Sequence, residues 1–106
     1  AYVASKHAVA GMTKNAALEY AEFGIVTNAI APGAILTPMV AEAFRQVNPE
    51  NPEEAERQGA AHNPTKRLGQ PEEIGKVVSF LMSEACSYVN GQVIAIDGGQ
   101  SSMYPV

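Results

Sequence analysis

The sequence predicts an α/β fold in which two parallel strands are joined through a helix. Residues 25–31 form a short apolar run without polar alternation, which is typical of a strand buried on both faces. A second short run, residues 92–97, lies between Asn90-Gly91 and Gly98-Gly99. A helical pattern precedes this second run, so we expect a strand, a right-handed crossover and a parallel strand.

Two longer helices are predicted, one before the first strand and one before the second. Residues 2–23 are rich in alanine, contain no proline and are followed by Gly24, a residue that commonly ends helices. The later helix begins at Pro71 with two acidic residues at its positive end. Its apolar residues recur at helical spacing and form one face, made of Ile74, Val77, Val78 and Leu81.

The segment between the first strand and Pro71 is long, polar and interrupted. The apolar spacing in residues 39–47 predicts a short amphipathic helix. Two prolines within residues 48–52 end this helix, and an acidic stretch follows at residues 53–57. Excursions of this kind between core elements are usually functional lids or disordered insertions. We expect residues 38–62 to be the most mobile part of the chain and to close over a substrate.

An alternative remains open near the second strand. Asn90-Gly91 is a strong turn signal and could join residues 88–89 to residues 93–94 as a β-hairpin. The first arm of that hairpin would be very short, so we favour the parallel arrangement.

Composition excludes several classes of function. With 106 residues the chain is long enough for one domain, and its formal net charge of −4 without a basic patch disfavours nucleic acid as a partner. One cysteine, Cys86, excludes an internal disulfide and suits a reducing compartment. His7 and His62 lie far apart, so we expect no metal site. No apolar run approaches membrane-spanning length, and we expect a cytoplasmic protein that does not bind membranes.

The first candidate site residues are Tyr2 and Lys6. Four residues apart on a helix, they share one face with β-carbons about 5–6 Å apart. Free tyrosine keeps its proton up to about pH 10, and an ammonium about 4 Å away stabilises a phenolate by roughly 4 kcal/mol at an effective dielectric of about 20. The spacing therefore suits a tyrosine acid/base assisted by a lysine. Alone, the pair is weak evidence, because a surface helix that carries an aromatic residue and a lysine is the commoner explanation of this spacing.

Four motifs in order make the chain resemble the short-chain dehydrogenase/reductase family, specifically its C-terminal half. They cover nearly all of the chain and are Tyr2-Val3-Ala4-Ser5-Lys6, Asn28-Ala29-Ile30-Ala31-Pro32-Gly33, Arg67-Leu68-Gly69-Gln70-Pro71-Glu72-Glu73-Ile74 and Gly91-Gln92-Val93-Ile94-Ala95-Ile96-Asp97-Gly98-Gly99. The resemblance implies the C-terminal portion of a Rossmann-type doubly wound parallel sheet. Within the family, the chain looks most like the levodione-reductase type, with glucose dehydrogenases and 3-oxoacyl-carrier-protein reductases as close competitors.

The resemblance implies an enzyme that uses NAD or NADP and acts on a small alcohol or ketone. Tyr2 would exchange a proton with the substrate oxygen, and Lys6 would stabilise its phenolate form and hydrogen-bond the nicotinamide ribose. Both residues would thus be catalytic and cofactor-binding.

Four further cofactor-binding residues are implied by the same resemblance. Pro32 and Gly33 would bring the backbone close to the cofactor, Ile35 would contact the carboxamide through its main chain, and Thr37 would use its hydroxyl. For Thr37 an N-cap or turn role is an open alternative. Asn28 could satisfy backbone groups near the strand end, and Cys86 is expected to pack as a small apolar residue.

Other parts of the family pattern do not occur in this sequence. No Gly-rich phosphate loop precedes the tyrosine, and Ser5 is not the family's catalytic serine, which would lie about a dozen residues before it. We therefore expect residues 1–106 to be the C-terminal part of a single dehydrogenase domain with a native C-terminus, and the cofactor-binding N-terminal half to lie outside this chain.

Two alternatives to the reductase interpretation stay open at this point. One is an epimerase or dehydratase that uses the same Tyr–Lys pair, and the other is a non-catalytic fragment that acts by association. We expect the intact enzyme to be a homo-oligomer, a dimer or tetramer. Alone, this chain should neither bind the dinucleotide nor remain a stable monomer, because two strands do not make a stable sheet.

Overall fold

The computed structural model describes residues 1–103. The main elements in chain order are α1 (Tyr2–Tyr20), β1 (Ala29–Pro32), α2 (Pro38–Val47), α3 (Pro52–Ala60), α4 (Pro71–Leu81) and β2 (Val93–Ile96). Short 3₁₀ helices follow α1, α4 and β2, at Ala21–Phe23, Glu84–Cys86 and Gln100–Met103. The α/β class and the predicted order of helix, strand, lid helices, helix and strand are confirmed.

The strands β1 and β2 form a two-stranded parallel sheet. Their hydrogen bonds advance in the same direction along both strands: the Ala29 N–H donates to the Gln92 carbonyl at 2.8 Å, and the Gly33 N–H donates to the Ile96 carbonyl at 3.0 Å. β2 therefore pairs with β1, and the alternative hairpin through Asn90-Gly91 is wrong.

Two asparagine side chains tie together the segments that lead into the strands. Asn90 accepts the Thr27 N–H at 2.9 Å, and Asn28 accepts the Gln92 N–H at 3.0 Å while donating to the Val89 carbonyl at 2.9 Å. A backbone hydrogen bond from the Gly91 N–H to the Thr27 carbonyl at 2.7 Å joins the same segments, and β1 itself begins at Ala29. The structural role considered for Asn28 is confirmed.

The chain divides into two compact units. The first comprises Ala1–Ala31 and Val77–Ile94. In it α1 is anchored by polar contacts, because the Lys14 ammonium donates to the Gly91 carbonyl at 3.1 Å and the Asn90 amide donates to the Ala17 carbonyl at 3.0 Å. Its buried residues are small: Thr13, Ala17, Cys86 and Gly91.

The second unit comprises Pro32–Lys76 and Ala95–Val106. The helices α2 and α3 both begin with proline in the first turn after a capping side chain: the Val40 N–H donates to the Thr37 hydroxyl, and the Glu54 N–H donates to the Asn51 amide oxygen. The helices pack at Gly59, where a β-carbon would lie 3.2 Å from the Phe44 ring. Ala55, Ala60, Leu68 and Asn63 are buried.

Several predicted boundaries differ from the structure. The first helix is α-helical only to Tyr20 and tightens to a 3₁₀ turn before Gly24, whose φ of 79° fits its predicted role as a terminator. The first strand is shorter than residues 25–31, and the second is Val93–Ile96 rather than 92–97. Burial of the first strand on both faces is also wrong within this chain, since Ile25 and Val26 are 51% and 40% exposed.

Candidate active site

The predicted catalytic pair lies in the first turns of α1. The Lys6 ammonium is 5.2 Å from the centroid of the Tyr2 ring, within the usual range of a cation–π contact. Both side chains are exposed, Tyr2 to 74%. Ser5 between them donates to the Tyr2 carbonyl at 2.8 Å, so its hydroxyl is engaged with the helix backbone. The helix therefore presents a phenol and an ammonium together on a surface that a ligand can reach.

Gly33 leaves β1 in close contact with the residue that leaves β2. A β-carbon at position 33 would lie 2.6 Å from the Asp97 β-carbon and 2.8 Å from its α-carbon. Only glycine at position 33 allows the two segments to come this close without displacement of the backbone. The position of Gly33, immediately after β1, is thus fixed by packing against Asp97.

Ile35 and Thr37 follow in a segment held by backbone hydrogen bonds. Ile35 forms a parallel bridge with Gly69, in which the Gly69 N–H donates to the Ala34 carbonyl at 2.9 Å and the Leu36 N–H donates to the Gly69 carbonyl at 2.8 Å. The Thr37 hydroxyl accepts the Val40 N–H at 3.2 Å, so the N-cap alternative for Thr37 is confirmed. An accepting hydroxyl still has its own hydrogen to donate, and a cofactor role is compatible with the cap.

The six predicted site residues therefore form two groups, one in each unit. Tyr2 and Lys6 belong to the first unit, and the other four lie within the first six residues of the second unit: Pro32, Gly33, Ile35 and Thr37. The second unit also contains a cleft of about 140 Å³. Its lining includes Ile35, Asn63, Thr65, Arg67, Glu73 and Asp97.

Charged residues that the sequence interpretation did not single out shape this cleft. Arg67 forms a two-point ion pair with Glu73, with nitrogen–oxygen distances of 2.7 and 2.9 Å. This ion pair, together with the Gln70 N–H, lowers the pKa of Glu73 to about 2. The pKa of Asp97 is lowered by hydrogen bonds from Ser101 and from the Gly99 N–H. The motif from Arg67 to Glu73 was visible in the sequence, but the contact between its two ends was not.

The remaining polar candidates have ordinary structural positions. His62 is exposed, and Cys86 is buried as expected for a small apolar residue. Within residues 1–103, no group of three or more His, Cys, Asp or Glu side chains is placed to hold a metal ion. Over the same residues, no helix combines the length and apolar character needed to cross a membrane.

Comparison with known proteins gives extensive matches. Residues 1–101 match the family model described as enoyl-(acyl carrier protein) reductase. Levodione reductase from Leifsonia aquatica is 53% identical over 97% of this chain and 39% of that protein, and its crystal structure matches with a TM-score of 0.81, covering 40% of the crystallised chain. Cyclohexanol dehydrogenase from Acinetobacter sp. (strain SE19) is 48% identical over 95% of this chain and 36% of that protein.

A structure described as ElxO with NADP bound matches with a TM-score of 0.83 and 37% identity, over 95% of this chain and 39% of that chain. The chain thus spans about two fifths of the length of each relative. The ordered motifs, the parallel strand pair and the match over residues 1–101 lead to one assignment: the chain belongs to the short-chain dehydrogenase/reductase family.

Proposed function

We propose that this chain is the C-terminal part of an NAD(P)-dependent oxidoreductase that interconverts a secondary alcohol and a ketone. The observation that carries the proposal is the pairing of the Tyr2 ring with the Lys6 ammonium at 5.2 Å on the exposed start of α1. Family membership adds support, because the relatives at 53% and 48% identity are named levodione reductase and cyclohexanol dehydrogenase.

In this proposal Tyr2 handles the proton. During ketone reduction its hydroxyl donates a proton to the carbonyl oxygen, and during alcohol oxidation its phenolate removes the proton from the hydroxyl group. Lys6 holds its ammonium 5.2 Å from the centroid of the Tyr2 ring, from where it would hydrogen-bond the nicotinamide ribose. The nicotinamide cofactor, when bound, supplies or accepts the hydride.

The residues present suit such a cofactor. Within residues 1–103, neither the Tyr2 hydroxyl nor the Lys6 ammonium makes a side-chain hydrogen bond, which leaves both groups available to ribose hydroxyls. In the second unit, the main chain at Gly33 and Ile35 and the hydroxyl of Thr37 would contact the nicotinamide end. NADP bound to the similar ElxO structure supports NAD or NADP as the cofactor.

The packing of the chain supports its being part of a larger protein. Among the described residues no large side chain is fully buried, and the buried apolar residues are mostly alanine. Large apolar side chains are exposed instead, including Leu18 at 82% and Phe23 at 69%. Surfaces of this kind normally lie against other protein. We therefore propose that further chain or a second copy covers them in an oligomeric enzyme.

The test is to assay the full-length protein with NADH and NADPH on a panel of cyclic and linear ketones. We expect stoichiometric oxidation of the reduced cofactor with formation of a secondary alcohol. Product analysis separates this activity from that of an epimerase or dehydratase, which would change the substrate without net consumption of the cofactor. A full-length protein that binds neither dinucleotide would instead favour the non-catalytic, associating alternative, which the exposed apolar residues also permit.

A further inference from the structure

The turn that leads into α4 is closed by an ion pair between its two ends. Both Arg67 terminal nitrogens bond the Glu73 carboxylate, and one of them also donates to the Leu68 carbonyl at 3.2 Å. Glu73 in turn accepts the Gln70 N–H at 2.9 Å. The planar guanidinium matches two carboxylate oxygens at once, a geometry that a lysine ammonium does not reproduce.

Inside this closed turn lies Gly69, which bonds the segment around Ile35 on both sides. The Gly69 N–H donates to Ala34 and its carbonyl accepts the Leu36 N–H. A β-carbon on Gly69 would lie 2.8 Å from the Ile35 δ-carbon, so the two residues are in direct contact. Gly69 consequently fixes the position of the Ile35 main chain. Ile35 comes one residue before Leu36 and two before the N-cap Thr37.

Buried contacts support the same turn from its other side. Leu68 is 6% exposed, and the buried Asn63 donates through its amide to the Arg67 carbonyl at 3.1 Å. The ion pair itself is exposed, with 58% of the Arg67 side chain and 41% of the Glu73 side chain accessible. An exposed ion pair contributes little to global stability, so its loss should loosen the turn without unfolding the protein.

We propose that Arg67 and Glu73 are positioning residues for the cofactor: their ion pair fixes the Gly69 bridge, which orients the backbone of Ile35 and the hydroxyl of Thr37 toward the nicotinamide end. This inference rests on the proposed function. Neither residue touches the reacting atoms, and both act through Gly69.

The experiment compares Glu73→Gln and Arg67→Lys with wild type in the full-length protein. The matched control is Glu72→Gln, which removes the same charge from the same helical turn but from a side chain without a hydrogen bond within residues 1–103. Amide hydrogen exchange is measured at Leu36 and Gly69, the two donors of the bridge. The dissociation constants of NADH and NADPH are measured by fluorescence titration.

We expect Glu73→Gln to speed exchange at both amides about fivefold and to weaken cofactor binding about fivefold, a change of the size that one exposed ion pair can supply. Arg67→Lys should give a smaller change in the same direction, and the KM for ketone should stay within about twofold. The inference is overturned if Glu73→Gln exchanges the Leu36 and Gly69 amides at the wild-type rate, or if its cofactor affinity is unchanged. It is also overturned if Glu72→Gln has an equal effect.

The two proposals can fail separately. If wild type binds cofactor and reduces ketones but Glu73→Gln behaves as wild type, only the positioning role is lost. If wild type binds no dinucleotide, the proposed function fails and the positioning role falls with it. The exchange rates would then report only whether the ion pair holds the bridge.

Discussion

Gly33 and Asp97 are in such close contact that the space for a side chain at position 33 is already occupied by the Asp97 β-carbon, 2.6 Å away. The neighbouring atoms belong to backbone and to a β-carbon, which cannot rotate aside. The contact joins the residues that follow β1 and β2, immediately beyond the bond from the Gly33 N–H to the Ile96 carbonyl. It therefore sets where the segment carrying Ile35 begins.

We expect Gly33→Ala to destabilise the full-length protein by about 1–3 kcal/mol, the usual cost of overpacking a close contact. Urea unfolding measures the change. Gly11→Ala is the matched control, because a β-carbon at position 11 has nothing within 4 Å and the residue lies inside α1. The control should leave stability unchanged or raise it by up to about 1 kcal/mol. Equal stability of the two variants would contradict the packing account.

Tyr2→Phe should lower turnover by at least about two orders of magnitude, because the variant keeps the ring but loses the proton donor. Steady-state ketone reduction in the full-length protein measures this. Tyr88→Phe is the control, since Tyr88 is fully exposed and lies outside the candidate site. Comparable turnover in Tyr2→Phe and wild type at neutral pH would remove Tyr2 from the mechanism.

The Thr37 hydroxyl caps α2 and is also predicted to contact the cofactor. Two substitutions distinguish these two functions. Thr37→Ser keeps both functions. Thr37→Asp keeps an accepting oxygen for the Val40 N–H but has no hydrogen to donate at neutral pH. We expect both variants to retain thermal stability and only Thr37→Asp to lose cofactor affinity in titration. If Thr37→Asp binds cofactor as tightly as wild type, the hydroxyl of Thr37 is only a cap.

The pKa of Glu73 predicts a specific dependence of stability on pH. Arg67 and the Gln70 N–H lower this pKa from 4.5 to about 2 in the folded protein. A lowered folded-state pKa means that the contribution of Glu73 to stability is fully present above pH 4.5 and is lost as the pH falls toward 2. The stability difference between wild type and Glu73→Gln, which is small because the ion pair is exposed, should shrink over that window when it is measured by urea unfolding.

The neighbouring variant Glu72→Gln serves as the control for this titration. It changes the same charge, but Glu72 makes no comparable bond to Arg67. A difference between wild type and Glu73→Gln that is constant from neutral pH to pH 2 would show that the carboxylate does not carry the effect.

Residues 38–62 should behave as a lid. The two helices in this range pack on one another at Phe44 and Gly59, but only Ala55 and Ala60 within it are buried. Few buried contacts favour local opening. Hydrogen exchange should be fast across α2 and α3 in the free protein and slower with cofactor and ketone bound. Strong, uniform protection without ligand would contradict the prediction.

The sequence predicted those features that depend on local chemistry. Gly24 ends the first helix, Pro71 begins the last one, and the apolar face from Ile74 to Leu81 is partly covered. The start of the first strand was missed where the Asn28 and Asn90 side chains hydrogen-bond the backbone, because periodicity in the sequence does not show such contacts. Exposure of Ile25 could not be read from its apolar character alone.

Only part of the candidate site could be predicted from the sequence. The Tyr2 and Lys6 contact follows directly from helical spacing, which is a local property. The Arg67/Glu73 ion pair could not be predicted, because its two residues meet only when the turn between them has folded around Gly69. Likewise, the need for glycine at position 33 arises from Asp97, which lies more than sixty residues later in the chain.

The hydrogen bonds of Asn28 and Asn90 have a consequence for changes of length in the predicted lid, residues 38–62. They join segments separated by 61 to 64 residues and, together with the backbone hydrogen bonds between these segments, they fix the strand register. Closing a flexible loop becomes only about 0.6 kcal/mol harder when its length doubles. Insertions or deletions between α2 and α3 should therefore leave β1 and β2 in the same alignment. The strand register therefore does not depend on the length of the predicted lid.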